Sequence, residues 1–138
     1  MEFEDFIKEG KVNIGQPDIQ KARALIKMSE NSIKTADSLK IDNVNSSIVL
    51  MISYESLREI LEAMCLSKGF KVYSHEAYVY YLKKMNETSS SEKFDRFRKL
   101  RNGCNYYGKS VSAAVANNAR KEIKNLRISL IKKYLDKI

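Results

Sequence analysis

The chain has 138 residues, 43% hydrophobic and 30% charged, which fits one globular domain with a real core. One Pro and five Gly are too few for the turns of an all-β fold, and the longest purely apolar run, Ile48 to Ile52, is too short to cross a bilayer, so no membrane partner is expected. The net charge is +8 and segregated: residues 1–91 carry twelve Lys/Arg against thirteen Asp/Glu, residues 92–138 thirteen against four, a basic third suited to nucleic acid or to an acidic protein.

Residues 1–16 read as an acidic N-terminal arm, a short amphipathic turn or mobile segment broken by Gly10 and Gly15. Their acidic start is unlike a signal peptide's basic one, which makes the cytoplasm the expected location. The domain proper is expected over 17–138. Its first helix opens at Pro17, suited to the first helical position, with Asp18 favourable in the first turn. Ile19, Ala22, Leu25, Ile26, Ser29, Ile33, Ala36 and Leu39 then recur on one face. Asp42-Asn43 breaks the run and supplies caps for a second helix over roughly 44–68. That helix should be the most buried, because its charges Glu55, Arg58, Glu59 and Glu62 form one narrow polar stripe. Cys65 on it, like Cys104 later, lacks metal-type spacing and reads as a small core residue rather than half of a disulfide.

Gly69 caps the second helix, and Ser74 starts a third. His75, the lone histidine, reads there as a capping or packing residue, and one imidazole excludes a histidine-rich metal site. Nothing in the sequence asks for a metal or cofactor. Ser89 and Glu92 fit a capping box for a fourth helix, which Gly103 and Gly108 should interrupt with a bend. A last helix, Ser110 to Leu135, carries an apolar stripe from Val111 through Val115 to Tyr134, with Arg120, Lys124 and Arg127 as a basic ridge beside it. Five helices with short connections give the expected fold class, an all-α, up-and-down helical bundle.

Chemistry concentrates between Lys93 and Gly108. Five of the nine residues from Lys93 to Arg101 are basic. Phe94, Phe97, Arg101 and Cys104 share one helical face, while Arg96, Arg98 and Lys99 point elsewhere. A guanidinium in line with core aromatics is costly unless it is paired or lines a cavity; otherwise its stem covers apolar surface and its head reaches water. Arg98, Arg101, Asn102, Tyr106, Tyr107 and Lys109 are the candidate RNA- or nucleotide-binding residues, with guanidinium forks for phosphate and phenol rings for bases. For Tyr106 plain packing is the favoured alternative, and for Tyr107 plain exposure. Cys104 as a nucleophile beside the cation lacks a base.

Ser74-His-Glu-Ala, an aromatic and aliphatic run, then Phe-Asp-Arg-Phe-Arg-Lys-Leu-Arg-Asn and Asn-Tyr-Tyr-Gly resemble HEPN domains over nearly the whole chain from Pro17. The resemblance implies an all-α bundle that often forms a homodimer, with motif arginines of two chains in one cleft. Many members of that family are metal-independent ribonucleases and components of toxin–antitoxin pairs. Others bind RNA or nucleotides without cutting, some beside a nucleotidyltransferase partner. The family's catalytic pattern is Arg, often a polar residue, then His four to six positions on. Arg101 and Asn102 match its start, but Tyr106, Tyr107 and Gly108 stand where the His belongs. A tyrosine with an ordinary pKa of about 10 is a poor base at neutral pH. The expectation is therefore a non-catalytic HEPN-like module that binds RNA or a nucleotide; were it active, Arg101, Asn102 and Tyr106 would carry a metal-independent endoribonuclease.

Overall fold

The computed structural model describes all 138 residues. It is an all-α helical bundle, 73% helical, with six helices where the sequence pattern suggests five. In order these are α1 (Phe3–Lys8), β1 (Val12–Ile14), α2 (Ile19–Ser38), α3 (Ser46–Ser67), β2 (Phe70–Val72), α4 (His75–Lys84), α5 (Thr88–Tyr107) and α6 (Ala113–Leu130), closed by a π-helical turn, Ile131–Leu135. No helix is long and apolar enough to cross a membrane.

Four long helices alternate in direction, as the up-and-down pattern expects. The Asp18 N–H at the start of α2 donates to the Leu66 carbonyl near the end of α3, and Ser29 Oγ donates to the Ser56 carbonyl midway. Lys133 and Tyr134, beyond α6, reach back to Glu87 before α5. Ser46 at the start of α3 donates to the Val111 carbonyl just before α6, so these two run parallel and α5 opposes both. Helix α3 is the centre. Tyr54, Leu57, Ile60, Leu61, Ala63 and Cys65 are fully buried along it. Its expected polar stripe is divided: Glu59 is only 2% exposed and accepts from Ser32 on α2, whereas Glu55 and Glu62 pair with Arg58.

The first sixteen residues are folded rather than a mobile arm. Phe3 and Phe6 of α1 and Val12 of β1 are buried in the same core as the bundle. Phe3 meets Phe70 and Tyr81 edge-on at 5.2 Å each. β1 pairs antiparallel with β2, Val12 opposite Val72 and Ile14 opposite Phe70. The bundle's boundary therefore does not fall at residue 17. Helix α2 begins two residues after Pro17, because the Asp18 carboxylate accepts from the Lys21 N–H and acts as the cap.

Further boundaries differ from the pattern. Helix α5 starts at Thr88 after Glu87, so Ser89 lies inside it and the Ser89–Glu92 capping box does not form. It runs unbroken through Gly103 and ends at Gly108, in the left-handed region at φ +63°. Ser112, not Ser110, caps the last helix by accepting from the Val115 N–H, which leaves Val115 itself exposed. The last turns, Ile131–Leu135, loosen to π geometry.

Candidate functional site

The unbroken α5 divides the expected site in two. Successive helical residues are roughly 100° apart, so Tyr106 and Tyr107 cannot face the same way. Arg98, Arg101, Asn102 and Tyr106 line a cleft of about 390 Å³ against the start of α4, where Tyr73, Ser74, His75 and Glu76 form the opposite wall. Tyr107 and Lys109 turn instead into a groove of about 690 Å³ with Leu100, Cys104 and Val111. The groove is larger, but its cations Arg96 and Lys99 are committed to Glu122 and Asp95, and its third, Lys109, is exposed beside the Tyr107 ring. The smaller cleft holds the convergent chemistry. Neither tyrosine packs: Tyr106 is 69% exposed and Tyr107 75%, so core packing of Tyr106 is not found.

The floor of the cleft is aromatic. Tyr54 of α3 stacks on Phe94 of α5, centroids 5.4 Å apart, and Tyr78 of α4 meets Phe94 edge-on at 6.1 Å. The Arg101 guanidinium lies over this floor, its Cζ 5.6 Å from the Tyr54 centroid and 5.8 Å from that of Tyr106. Its Nη1 donates to Asn102 Oδ1 at 3.3 Å. The Asn105 amide stands 3.1 Å from both Nη2 and Nε, and with its oxygen turned inward accepts from each. Arg101 is half-buried, and no carboxylate pairs with it.

That isolation separates Arg101 from the other cations of the basic third. Arg96, Arg98, Lys99, Arg120, Lys124, Arg127 and Lys133 each pair with a carboxylate. The remaining lysines, such as Lys93, Lys109 and Lys121, are exposed. The expected ridge on α6 is not a free surface. Arg120 donates to the carbonyls of Ala36 and Leu39 at 2.8 and 3.0 Å, closing the end of α2. Lys124 pairs with Asp37. Arg127 is only 4% exposed and bonds Ser29 Oγ at 2.8 Å and Glu30 at 3.4 Å. These three residues fasten α6 to α2.

His75 is the residue that sequence reasoning underrated. It neither caps α4 nor packs passively: its Nδ1 is 2.9 Å from the Tyr54 hydroxyl, and its ring lines the cleft with Arg101. Burial first, then the charges of Arg58 and Arg101, pushes the imidazole down to about 4, so it is neutral at pH 7. Burial pushes the Tyr54 phenol up, so it keeps its proton. That hydroxyl has no other partner, so its hydrogen goes to Nδ1. The imidazole proton then sits on Nε2, and the second nitrogen of His75 is a donor rather than a lone pair. No sequence signal pointed here, because Tyr54 lies twenty-one residues away on another helix.

No group of three or more His, Cys, Asp or Glu side chains is placed to hold a metal ion. Cys65 is buried and Cys104 half-buried, both as free thiols. Fold and cleft together define an α-helical bundle protein with a cationic, aromatic-floored cleft at the meeting of α4 and α5. No protein-family model, curated protein or solved structure matches the chain.

Proposed function

We propose that the chain is a HEPN-like module that binds RNA or a nucleotide in the Arg101 cleft without cutting it. The observation that carries this reading is Arg101 itself: a half-buried guanidinium with no carboxylate partner, laid across aromatic rings beside Asn102, His75 and the exposed Tyr106. A phosphate supplies the charge that Arg101 lacks, and its oxygens match the guanidinium fork. His75 Nε2–H adds a neutral donor, and Tyr106 offers a ring face to a base.

The competing reading is a metal-independent ribonuclease, and one observation favours it: an imidazole shares the cleft with Arg101. Cutting needs a lone pair to take the 2′-hydroxyl proton while a cation steadies the phosphorane. Arg101 fits the second task. The Tyr54 hydrogen bond works against the first, because it leaves Nε2 protonated.

Anisotropy titration of a fluorescent RNA and of a labelled nucleotide at low salt tests the proposal. Saturable binding is expected, weakened at least about tenfold in Arg101→Ala, the loss of one charge-assisted contact. No affinity for either probe rejects it. In a parallel incubation with EDTA the RNA stays intact; cleavage that vanishes in both Arg101→Ala and His75→Gln replaces the binding module with the enzyme.

A further inference from the structure

The two rims of the Arg101 cleft are tyrosines on different elements. Tyr73 follows β2, where its N–H donates to the Lys11 carbonyl at 2.9 Å, so its backbone is fixed while its ring is 59% exposed. Tyr106 projects from the last turn of α5. The other large aromatics of this region, Tyr54, Tyr78 and Phe94, are buried and form the floor. Three of the chain's eight tyrosines are mostly exposed, and two of them flank this one cleft. Each rim ring has a cation near one face, Lys71 Nζ at 5.6 Å from Tyr73 and Arg101 Cζ at 5.8 Å from Tyr106. Two exposed rings lining one cationic cleft offer their free faces to a planar group.

We propose that this cleft takes one unpaired nucleotide at a time, its phosphate on Arg101 and its base against the rings of Tyr73 and Tyr106. The inference rests on the binding reading above and adds the ligand's form and Tyr73 as a second stacking residue. At about 390 Å³ the cleft falls in the size range of small-ligand sites. Arg98 also lines the cleft, its guanidinium held in place by Asp95 at 2.7 Å. A base can reach the tyrosines only when its faces are free. In a duplex both faces are covered by neighbouring base pairs, and no base face remains for the tyrosines. The same chemistry is offered by a mononucleotide and by a nucleotide within a single strand.

The full-length chain is titrated with three probes, a fluorescent ten-nucleotide single-stranded RNA, the same RNA annealed to its complement, and unlabelled AMP as competitor. The imidazole signal of His75, single in its class, is followed by NMR as a reporter of the cleft. The single strand is expected to bind at least about tenfold more tightly than the duplex and to move the His75 signal. Tyr73→Leu and Tyr106→Leu each weaken the single strand about tenfold and leave the duplex unchanged, and Tyr73→Phe keeps full affinity, as loss and rescue of one stacked base require. Displacement by AMP assigns the site to a free nucleotide; binding of the strand without displacement by AMP assigns it to a nucleotide within a chain. Equal affinity for single strand and duplex, or full affinity in Tyr73→Leu, overturns this inference while the binding reading stands. No binding of any probe overturns both. Circular dichroism of each variant confirms the helical fold, which exposed rim residues do not support.

Discussion

Arg101 and His75 reach the same cleft by opposite routes. The guanidinium lies across the faces of Tyr54 and Tyr106, whereas the imidazole, closer to the core, stays neutral. The NMR titration midpoint of His75 is accordingly expected near 4 rather than the ordinary 6.5. Between those values the unfolded chain binds a proton that the folded chain refuses. Stability is therefore intact above pH 6.5, falls as the pH drops through this window and has lost the whole His75 contribution below about 4. The ring is only partly buried, so solvent screening holds the loss to about 1 kcal/mol. Urea unfolding at pH 7 and pH 4.5 measures it, and His75→Gln should lose less stability on acidification than the wild type. An equal loss in both proteins assigns the acid sensitivity to other groups. A phosphate bound beside His75 favours the imidazolium, so saturating nucleotide should move the same midpoint upward.

At the scale of helices and turns, α6 is seated on α2 by its own cations. Arg120 donates to two carbonyls at the end of α2, Leu39 and Ala36, the latter also accepting from the Leu39 N–H, so Arg120→Ala should cost about 1–3 kcal/mol in urea unfolding. Lys at this position should recover only part, since one ammonium cannot fork to both oxygens as the guanidinium does. Two glycines separate conformation from space. Both Gly69 and Gly108 have positive φ, but a Cβ at Gly69 would stand 2.4 Å from the Gly15 carbonyl oxygen, whereas one at Gly108 meets nothing within 4 Å. Gly108→Ala should cost about 1 kcal/mol and Gly69→Ala clearly more, because backbone must move to admit the methyl. The same elements show what a sequence can disclose. Apolar periodicity locates all four long helices, since twenty residues average out single exceptions such as Val115. It misses β1 and β2, which are three residues each and gain their partner only across fifty-eight positions. It also misreads Arg120, Lys124 and Arg127: a stripe of cations has one spacing whether it meets water or the carbonyls and carboxylates of another helix. Arg101 was legible because its face is shared with Phe94 and Phe97, two buried rings on its own helix. His75 was not, because what fixes its proton is a phenol on α3.

At the scale of the molecule, carboxylates of the near-neutral front of the chain meet its basic rear before a ligand does. Asp37 takes Arg120 and Lys124, Glu30 takes Arg127, and Glu87 takes Lys133, so carboxylates from outside the basic third cover much of it. The N-terminal residues belong to this closure too. Lys84 of α4 pairs with Glu4 at 2.6 Å, and removal of residues 1–8 would uncover the sites of Phe3 and Phe6. Phe3→Ala alone should cost about 3–5 kcal/mol, which a urea titration resolves directly. The internal pairing also sets how the protein responds to salt. Each phosphate neutralised on a single strand contributes roughly −0.7 to the slope of log affinity against log salt. Engagement of the entire excess of residues 92–138, thirteen cations against four anions, would give a slope of about −6. One nucleotide on Arg101, with a second phosphate near Arg98, gives a slope of about −1.4 instead. Anisotropy titrations of the single-stranded RNA between about 50 and 300 mM salt distinguish the two, since the steep case loses several decades of affinity and the shallow case about one. A slope near −6 would mean that RNA prises the α6 cations from Asp37 and Glu30, and with them the contacts that fasten α6 to α2. A shallow slope together with loss of binding in Arg101→Ala confines recognition to the one half-buried cation that the fold leaves without a partner.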